Sequence, residues 1–307
     1  YHMPSMVYIT GLSEMEAVLG EESKVVGDAV DAAMQLHPRF IAIAGTLIPT
    51  MMGTDFKGLA RLIEKKSGVP SFGFATTGMS SYVKGVSMAL SGIAERFCPP
   101  QTEKKSGNGH PSVNLLGVTP LDFSVTGTVE AMRALLEENG YPVVSCWAMG
   151  STWEELMDAG KAQVNLVVSS TGLALAKVFK KRYGTPYVTG IPMGQGMTRK
   201  VFAALDEAFR TGRDQRPAGE RGLDSARISD KPALVIGEAV WAASMCRALE
   251  EDFGMPARAL CPLELSARVL DGQDLQCTGE VEIASSMEKA SLVIADPLYK
   301  GVLPLGV

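Results

Sequence analysis

Histidine, paired cysteine and nucleotide-binding glycine motifs are what this 307-residue sequence has least of. Its three histidines, His2, His37 and His110, have no carboxylate or cysteine at a telling spacing. A sequence-readable His-based triad or zinc site is therefore excluded, and surface roles are expected for all three. The five cysteines (Cys98, Cys146, Cys246, Cys261 and Cys277) are odd in number and contain no C-x-x-C pair. That excludes a disulfide framework and fits reduced intracellular thiols. No run reaches about 18 uninterrupted apolar residues, so no membrane helix is expected. No signal peptide is read at the start, and the expected location is cytoplasmic. A net charge of -5 spread over a mixed sequence leaves no basic footprint for nucleic acid. Neither a strand-borne G-x-G-x-x-G nor a G-x-x-x-x-G-K-[ST] occurs, which removes the common dinucleotide and P-loop readings.

What is present is one device, repeated. EKKSGVPSFGF, LEENGYPVVSC, FKKRYGTPYVTGI and LEEDFGMPARAL each run from a charged helix end through Gly-x-Pro into an apolar strand. Gly68, Gly140, Gly184 and Gly254 are placed to close a helix in the left-handed conformation. The proline two positions later cannot continue a helix but tolerates the start of a strand. Such helix-to-strand crossings are the mark of βαβ units and parallel sheets.

The strands predicted beside them are FIAIAG (40–45), VNLLGV (113–118), VNLVVS (164–169) and ALVIG (233–237). They are short and apolar throughout, as strands covered on both faces must be. Two polar, breaker-rich stretches, 98–112 and 212–232, read as linkers. The expected fold is α/β: three Rossmann-like parallel-sheet units, over 1–100, 112–212 and 232–307, around a central cleft. The third is short for a complete unit, as it would be in a chain truncated at its C-terminus.

Ligands of open parallel sheets sit beyond the carboxyl ends of the strands, which directs attention to loops 45–55, 76–81, 117–127, 147–153, 169–172, 192–198 and 237–240. SSTG (169–172) and TTGMSS (76–81) offer hydroxyls and helix amides, for capping or for an anion. GIPMGQGMT (190–198) has the same two readings, with Thr198 as the expected N-cap in the first. Cys146 and Cys261 close strands at this edge, where a free cysteine is either a small apolar filler or a soft ligand. Met51, Met52, Met79, Met149, Met193 and Met197 fall in these loops and read as a pliable apolar cleft wall.

Taken in order, these segments resemble the nitrogenase component 1 family: molybdenum-iron protein subunits, cofactor-assembly scaffolds and dark-operative protochlorophyllide reductase subunits. The resemblance begins with EMEAVLGEESK, passes through the GTLIPTMMGTD loop, and reaches a strand ending in Thr-x-Gly. Its most specific part is GSTWEEL followed by AQVNL, which is similar to the family's "Gly-x-Thr-x-x-Glu-Leu" and "Ala-x-x-Asn-Leu". LVIGEAVWAASMCRALEEDFGMPA through LVIADPLY fits more loosely. The resemblance implies three Rossmann-like domains around a cofactor cleft and an iron–sulfur cluster or tetrapyrrole as cofactor. It also implies a homologous partner subunit or homo-oligomer, and an ATP-dependent iron–sulfur reductase as electron donor.

The departures bear on chemistry. The family's bridging cluster takes a cysteine two residues before the proline of the first loop; that place is Leu47 here. The cysteine holding the active-site cofactor lies just after the Asn-Leu strand, at or next to Ser169 here. A hydroxyl is a poor replacement for thiolate toward soft iron–sulfur sites. The resemblance then leaves Thr46, Thr76, Ser169 and Ser170 as candidate contacts to anionic groups of a cofactor, and Cys146 as the remaining soft ligand. The alternative reading is a non-redox protein on the same fold that binds a metal chelate or small anion.

Overall fold

A computed structural model describes residues 6–11, 15, 22–100, 103–104, 109–124, 126–219, 231–263 and 269–303. His2 and the EMEAVLG segment of the family resemblance, apart from Met15, lie outside the described residues. The fold is α/β, with every strand pairing among the described residues parallel, and it divides into two compact units, Tyr1–Gly92 and Ile93–Val307.

The first unit holds α1 (Glu22–Leu36), β1 (Ile41–Ala44), the short α2 (Leu47–Met51), α3 (Phe56–Ser67) and β2 (Ser71–Phe74). α4 (Tyr82–Phe97) follows. β1 and β2 pair from Ile41↔Ser71 to Ala44↔Phe74. Asp55 starts α3 by accepting the Gly58 amide at 2.9 Å, and Leu59 and Ile63 then pack with Val26 of α1 against Ile41 and Ile43.

The second unit contains two four-stranded sheets. In the first, β3 (Val113–Val118), β4 (Val143–Ala148), β5 (Val164–Val167) and β6 (Tyr187–Thr189) lie in the order β4-β3-β5-β6. The helices between them are α5 (Pro120–Phe123), α6 (Thr128–Glu138), α7 (Trp153–Met157) and α8 (Leu173–Tyr183), with α9 (Gly194–Thr211) after β6. In the second, β7 (Ala233–Ile236), β8 (Ala257–Cys261), β9 (Leu275–Gln276) and β10 (Leu292–Ile294) lie in the order β10-β7-β8-β9. α10 (Ala239–Phe253) connects β7 to β8, and α11 (Glu280–Glu288) precedes β10. β3, β5 and β7 are buried along their whole length, which accounts for their mostly apolar character, Asn114 and Asn165 being the polar exceptions in β3 and β5.

The Gly-x-Pro device does more than break helices. All four glycines are left-handed. The four prolines, lacking an N–H, each offer a carbonyl to the first or second amide of the neighbouring strand: Pro70 to Ile41 (2.9 Å), Pro142 to Val113 (2.8 Å), Pro186 to Asn165 (2.9 Å) and Pro256 to Ala233 (2.8 Å). Each proline thus sets the register at the amino edge of its sheet while costing the ladder nothing.

Candidate functional site

The strand orders identify where a ligand belongs in the second unit. From β3 the chain winds one way to β4 and the other way to β5 and β6, so the switch point lies between β3 and β5. In the second sheet β8 and β9 lie on one side of β7 and β10 on the other, so the switch point lies between β7 and β10. Open α/β sheets bind ligands outside the carboxyl ends of the strands at such points.

A hydroxyl–carboxylate network fills the first switch point. Thr119, at the end of β3, caps α5 by accepting the Asp122 amide and donates to Asp122 Oδ2 at 2.9 Å. Ser169, at the end of β5, donates to the same oxygen at 2.7 Å and accepts from Thr171 Oγ1 at 2.9 Å. The two strand ends meet so closely that a Cβ on Gly117 would come within 2.9 Å of the Gly172 amide. Gly117 also has φ +91, so glycine is required there for both space and conformation. The crevice between β3 and β5 is filled by the protein's own backbone.

Ser170 carries the network to the second switch point. Its amide donates to Glu238 Oε1 at 2.9 Å and its hydroxyl donates to the same oxygen. Glu238 Oε2 accepts the Val240 and Trp241 amides at 3.0 and 3.1 Å and so caps α10. Burial raises the Glu238 carboxyl above the ordinary range, and the Asp122 charge pushes the same way, against the donated hydrogen bonds.

α10 also consumes the amides that loop 192–198 was expected to present. Asp252 accepts from Gln195 at 2.9 Å and Gly196 at 2.6 Å, and Ser244 Oγ accepts from Ile191 at 3.0 Å. The expected N-cap Thr198 lies inside α9, where its hydroxyl donates to the Gly194 carbonyl at 2.5 Å; Met193 is the N-cap. The helix starts earlier because Asp252, from a distant element, satisfies its first amides.

Cys146 sits apart, near the carboxyl end of the edge strand β4, 1% exposed, with its amide donating to Ser151 Oγ at 2.7 Å. Burial pushes its thiol up to about 11 against the opposing pull of Arg133, so the thiol is protonated at neutral pH. Arg133 pairs with Glu137 at 3.1 Å and Glu155 at 3.2 Å and reaches the Gly150 carbonyl at 3.3 Å. Glu155 and Thr152 form a reciprocal capping box at the start of α7. The motif Gly-x-Thr-x-x-Glu-Leu is thus a fold-building element. Asn165 of the Asn-Leu motif plays a similar part: Asn114 Nδ2 donates to Asn165 Oδ1 at 2.8 Å, and Ser145 Oγ donates to Asn114 Oδ1 at 2.7 Å.

In the first unit, Thr76 Oγ1 donates to the Gly45 carbonyl at 2.7 Å and ties the ends of β1 and β2 together. Thr46 is the N-cap of α2 but its side chain makes no cap hydrogen bond. Leu47 is 43% exposed, and Ile48, Met51, Met52 and Met79 are exposed with it. Ser169 and Ser170 are therefore adjoining parts of one network, Cys146 lies beyond β3 from them, and Thr46 and Thr76 belong to the other unit.

The profile of the nitrogenase component 1 type oxidoreductase family matches residues 1–274. The chain belongs to that family. It is 26% identical over 183 residues to the nitrogenase iron-molybdenum cofactor biosynthesis protein NifE of Clostridium pasteurianum, covering 59% of this chain and 38% of that protein. It is also 26% identical over 238 residues to the alpha chain of the nitrogenase molybdenum-iron protein of Clostridium pasteurianum, covering 76% and 40%. A third relative is a component of the light-independent protochlorophyllide reductase of Rhodospirillum rubrum, 26% identical over 248 residues and covering 74% and 44%. The chain spans less than half the length of these curated relatives. The solved structure "Nitrogenase Cp1 at pH 6.5" superposes with a TM-score of 0.61 at 18% identity, covering 94% of this chain and 66% of that one, which shows the shared fold.

Among the described residues, the candidate positions do not fit a cluster held by thiolates of this chain. Ser169 has both its donor and its acceptor capacity engaged, Leu47 has no ligating atom, and Cys146 is a desolvated thiol. Among the described residues no group of three or more His, Cys, Asp or Glu side chains is gathered to hold a metal ion. No described helix is long and apolar enough to cross a membrane.

Asp122 and Glu238 are the site residues that sequence reasoning did not single out. Thr119-Pro120-x-Asp122 carried a helix-start signal, cap followed by proline. Glu238 carried none, since glutamate is not a favoured N-cap.

Proposed function

We propose that the chain is a nitrogenase-like oxidoreductase or cofactor-maturation subunit that handles a metallocluster or tetrapyrrole jointly with a homologous partner. On this reading the partner supplies the ligating atoms, and this chain supplies walls and hydrogen-bonding groups. The observation that supports it is Ser169: at or next to the place where the resemblance puts the family's cofactor cysteine, its hydroxyl donates to Asp122 at 2.7 Å instead of being free to ligate. An ATP-dependent iron–sulfur reductase is the expected electron source for such a complex. Anaerobic purification of the chain alone and with its co-expressed homologous partner tests this through iron, sulfide and visible absorption. The isolated chain should be colourless and metal-free, and the complex should carry the chromophore. A colourless, metal-free complex would overturn the proposal.

A second reading is favoured by the exposed apolar residues of the first unit, Leu47, Ile48, Met51, Met52 and Met79, at the carboxyl ends of β1 and β2. These suit a non-redox protein that binds a metal chelate through apolar contact. Thermal stabilisation of the isolated chain by a metal chelate, without any redox-active spectrum, distinguishes it.

A further inference from the structure

The boundary between the two compact units falls between Gly92 and Ile93, inside the helix α4. The helix therefore belongs to both units, and each holds its own part. On the first unit's side, α4 lies over β2 and the residues that follow it. A Cβ at Gly85 would meet the Thr76 methyl at 3.9 Å, and one at Gly92 would meet the Phe74 and Phe72 rings at 3.5 and 3.6 Å. On the second unit's side, the end of α8 grips the last turn. Arg182 Nη1 donates to the Ala94 and Glu95 carbonyls at 3.0 and 3.1 Å, and its Nη2 donates to the Cys98 carbonyl at 2.6 Å. Phe97 packs edge-on against Trp153 at 5.0 Å, and the Cys98 thiol donates to the Leu156 carbonyl at 3.4 Å. A helix end leaves carbonyls short of donors, and here one guanidinium of the second unit supplies them.

Gly92 is the anomaly between these two anchorages. Glycine inside a helix is disfavoured relative to alanine, and space or a left-handed backbone is the usual reason to keep it. Neither applies here. The atoms that a Cβ would meet lie at ordinary van der Waals distance, and Gly92 has no positive φ. Together with Ser91 it forms a Gly/Ser pair of the kind at which helices bend.

We propose that Ser91-Gly92 is a pivot: the two units change their relative orientation by bending α4 there, each keeping its own part of the helix as a rigid piece. Bending interrupts only the few i→i−4 hydrogen bonds that span the pivot and leaves the anchorages on either side intact. The first unit carries the exposed Leu47, Ile48, Met51 and Met52, so the pivot moves that apolar surface as a body instead of deforming it.

Distance distributions between paired spin labels on the full chain test the pivot. One pair spans the units, at Arg61→Cys and Lys181→Cys; a reference pair, at Lys181→Cys and Arg210→Cys, lies within the second unit, and all three positions are exposed. The native cysteines are buried, and labelling the parent chain sets the background. The inter-unit distribution should be broader than the reference. Gly92→Ala should lower the bent population about fivefold, the helix preference of alanine over glycine, and so narrow the distribution. Gly85→Ala gains the same preference away from the pivot and should leave the breadth unchanged. An inter-unit distribution as narrow as the reference would overturn the proposal, and that comparison needs no pivot variant. Undiminished breadth in Gly92→Ala, or equal narrowing in Gly85→Ala, would overturn it as well.

Discussion

Ser169 Oγ donates a 2.7 Å hydrogen bond to Asp122 Oδ2, joining the end of β5 to the short helix after β3 at the switch point of the middle sheet. The same hydroxyl receives the Thr171 amide at 3.2 Å and the Thr171 hydroxyl at 2.9 Å, and all these groups except Asp122 are buried. Ser169→Ala should destabilise the protein by about 1–3 kcal/mol, because a buried hydroxyl and a buried amide lose their partner. Urea unfolding monitored by circular dichroism measures it, and a change within error of zero would show the network to be dispensable.

Gly117→Ala should be more severe. The left-handed φ of +91 and a Cβ placed 2.9 Å from the Gly172 amide both oppose a side chain. Loss of roughly 1–3 kcal/mol from conformation alone is expected, with the backbone clash added to it. The melting temperature of the purified variant is the readout; a value equal to wild type would refute the close approach.

Asp252 occupies the place an anion would take at the start of α9. Asp252→Ala should cost about 0.5–2 kcal/mol as a lost cap. It should also make the variant, unlike wild type, gain thermal stability from added inorganic phosphate, because two helix amides are released. Equal phosphate response in both proteins would argue that these amides are not accessible even when freed.

Cys146 should behave as an inert thiol. Its pKa of about 11 leaves little thiolate at neutral pH, and the side chain is buried. Iodoacetamide at about pH 8 should leave its peptide unmodified in the native protein and modify it fully in denaturant, by mass spectrometry. Rapid native labelling would restore it as a reactive or ligating group.

Lys104 donates to the carbonyls of Gly160 at 3.2 Å and Ala162 at 2.8 Å and to Thr185 Oγ1 at 2.5 Å. Burial lowers its pKa to about 8 from 10.5. Between those values the unfolded chain binds more protons than the folded one, so this residue makes stability rise with pH through that window. The difference in unfolding free energy between wild type and Lys104→Met should therefore grow in favour of wild type from pH about 8 to 10.5. A difference independent of pH would show that Lys104 titrates normally.

Much of the fold is legible in the sequence because its signals are local. Val113–Val118 is an apolar run bounded by breakers, and it is β3 over that span. The four Gly-x-Pro turns are readable because a left-handed closure and a missing N–H are properties of the residues themselves. The start of α9 is not readable, for the opposite reason. The glycines 194 and 196 look like loop, and the group that stabilises their helical amides, Asp252, lies on another helix. The family motifs are legible as family marks but not as roles: Thr152 and Glu155 turn out to cap a helix, and Asn165 Oδ1 accepts from the buried Asn114 amide.

By itself, then, the sequence determined the parallel α/β class, the strands and their breakers, and that Leu47 and Ser169 carry no thiol, since periodicity, backbone chemistry and side-chain identity are local quantities. Only the tertiary structure decided what the strand-end hydroxyls and amides do. Ser169 turns to Asp122, Ser170 to Glu238, and Gln195 and Gly196 to Asp252. A buried polar group must take whichever partner folding brings within about 3 Å, and most of these partners lie tens of residues away along the chain.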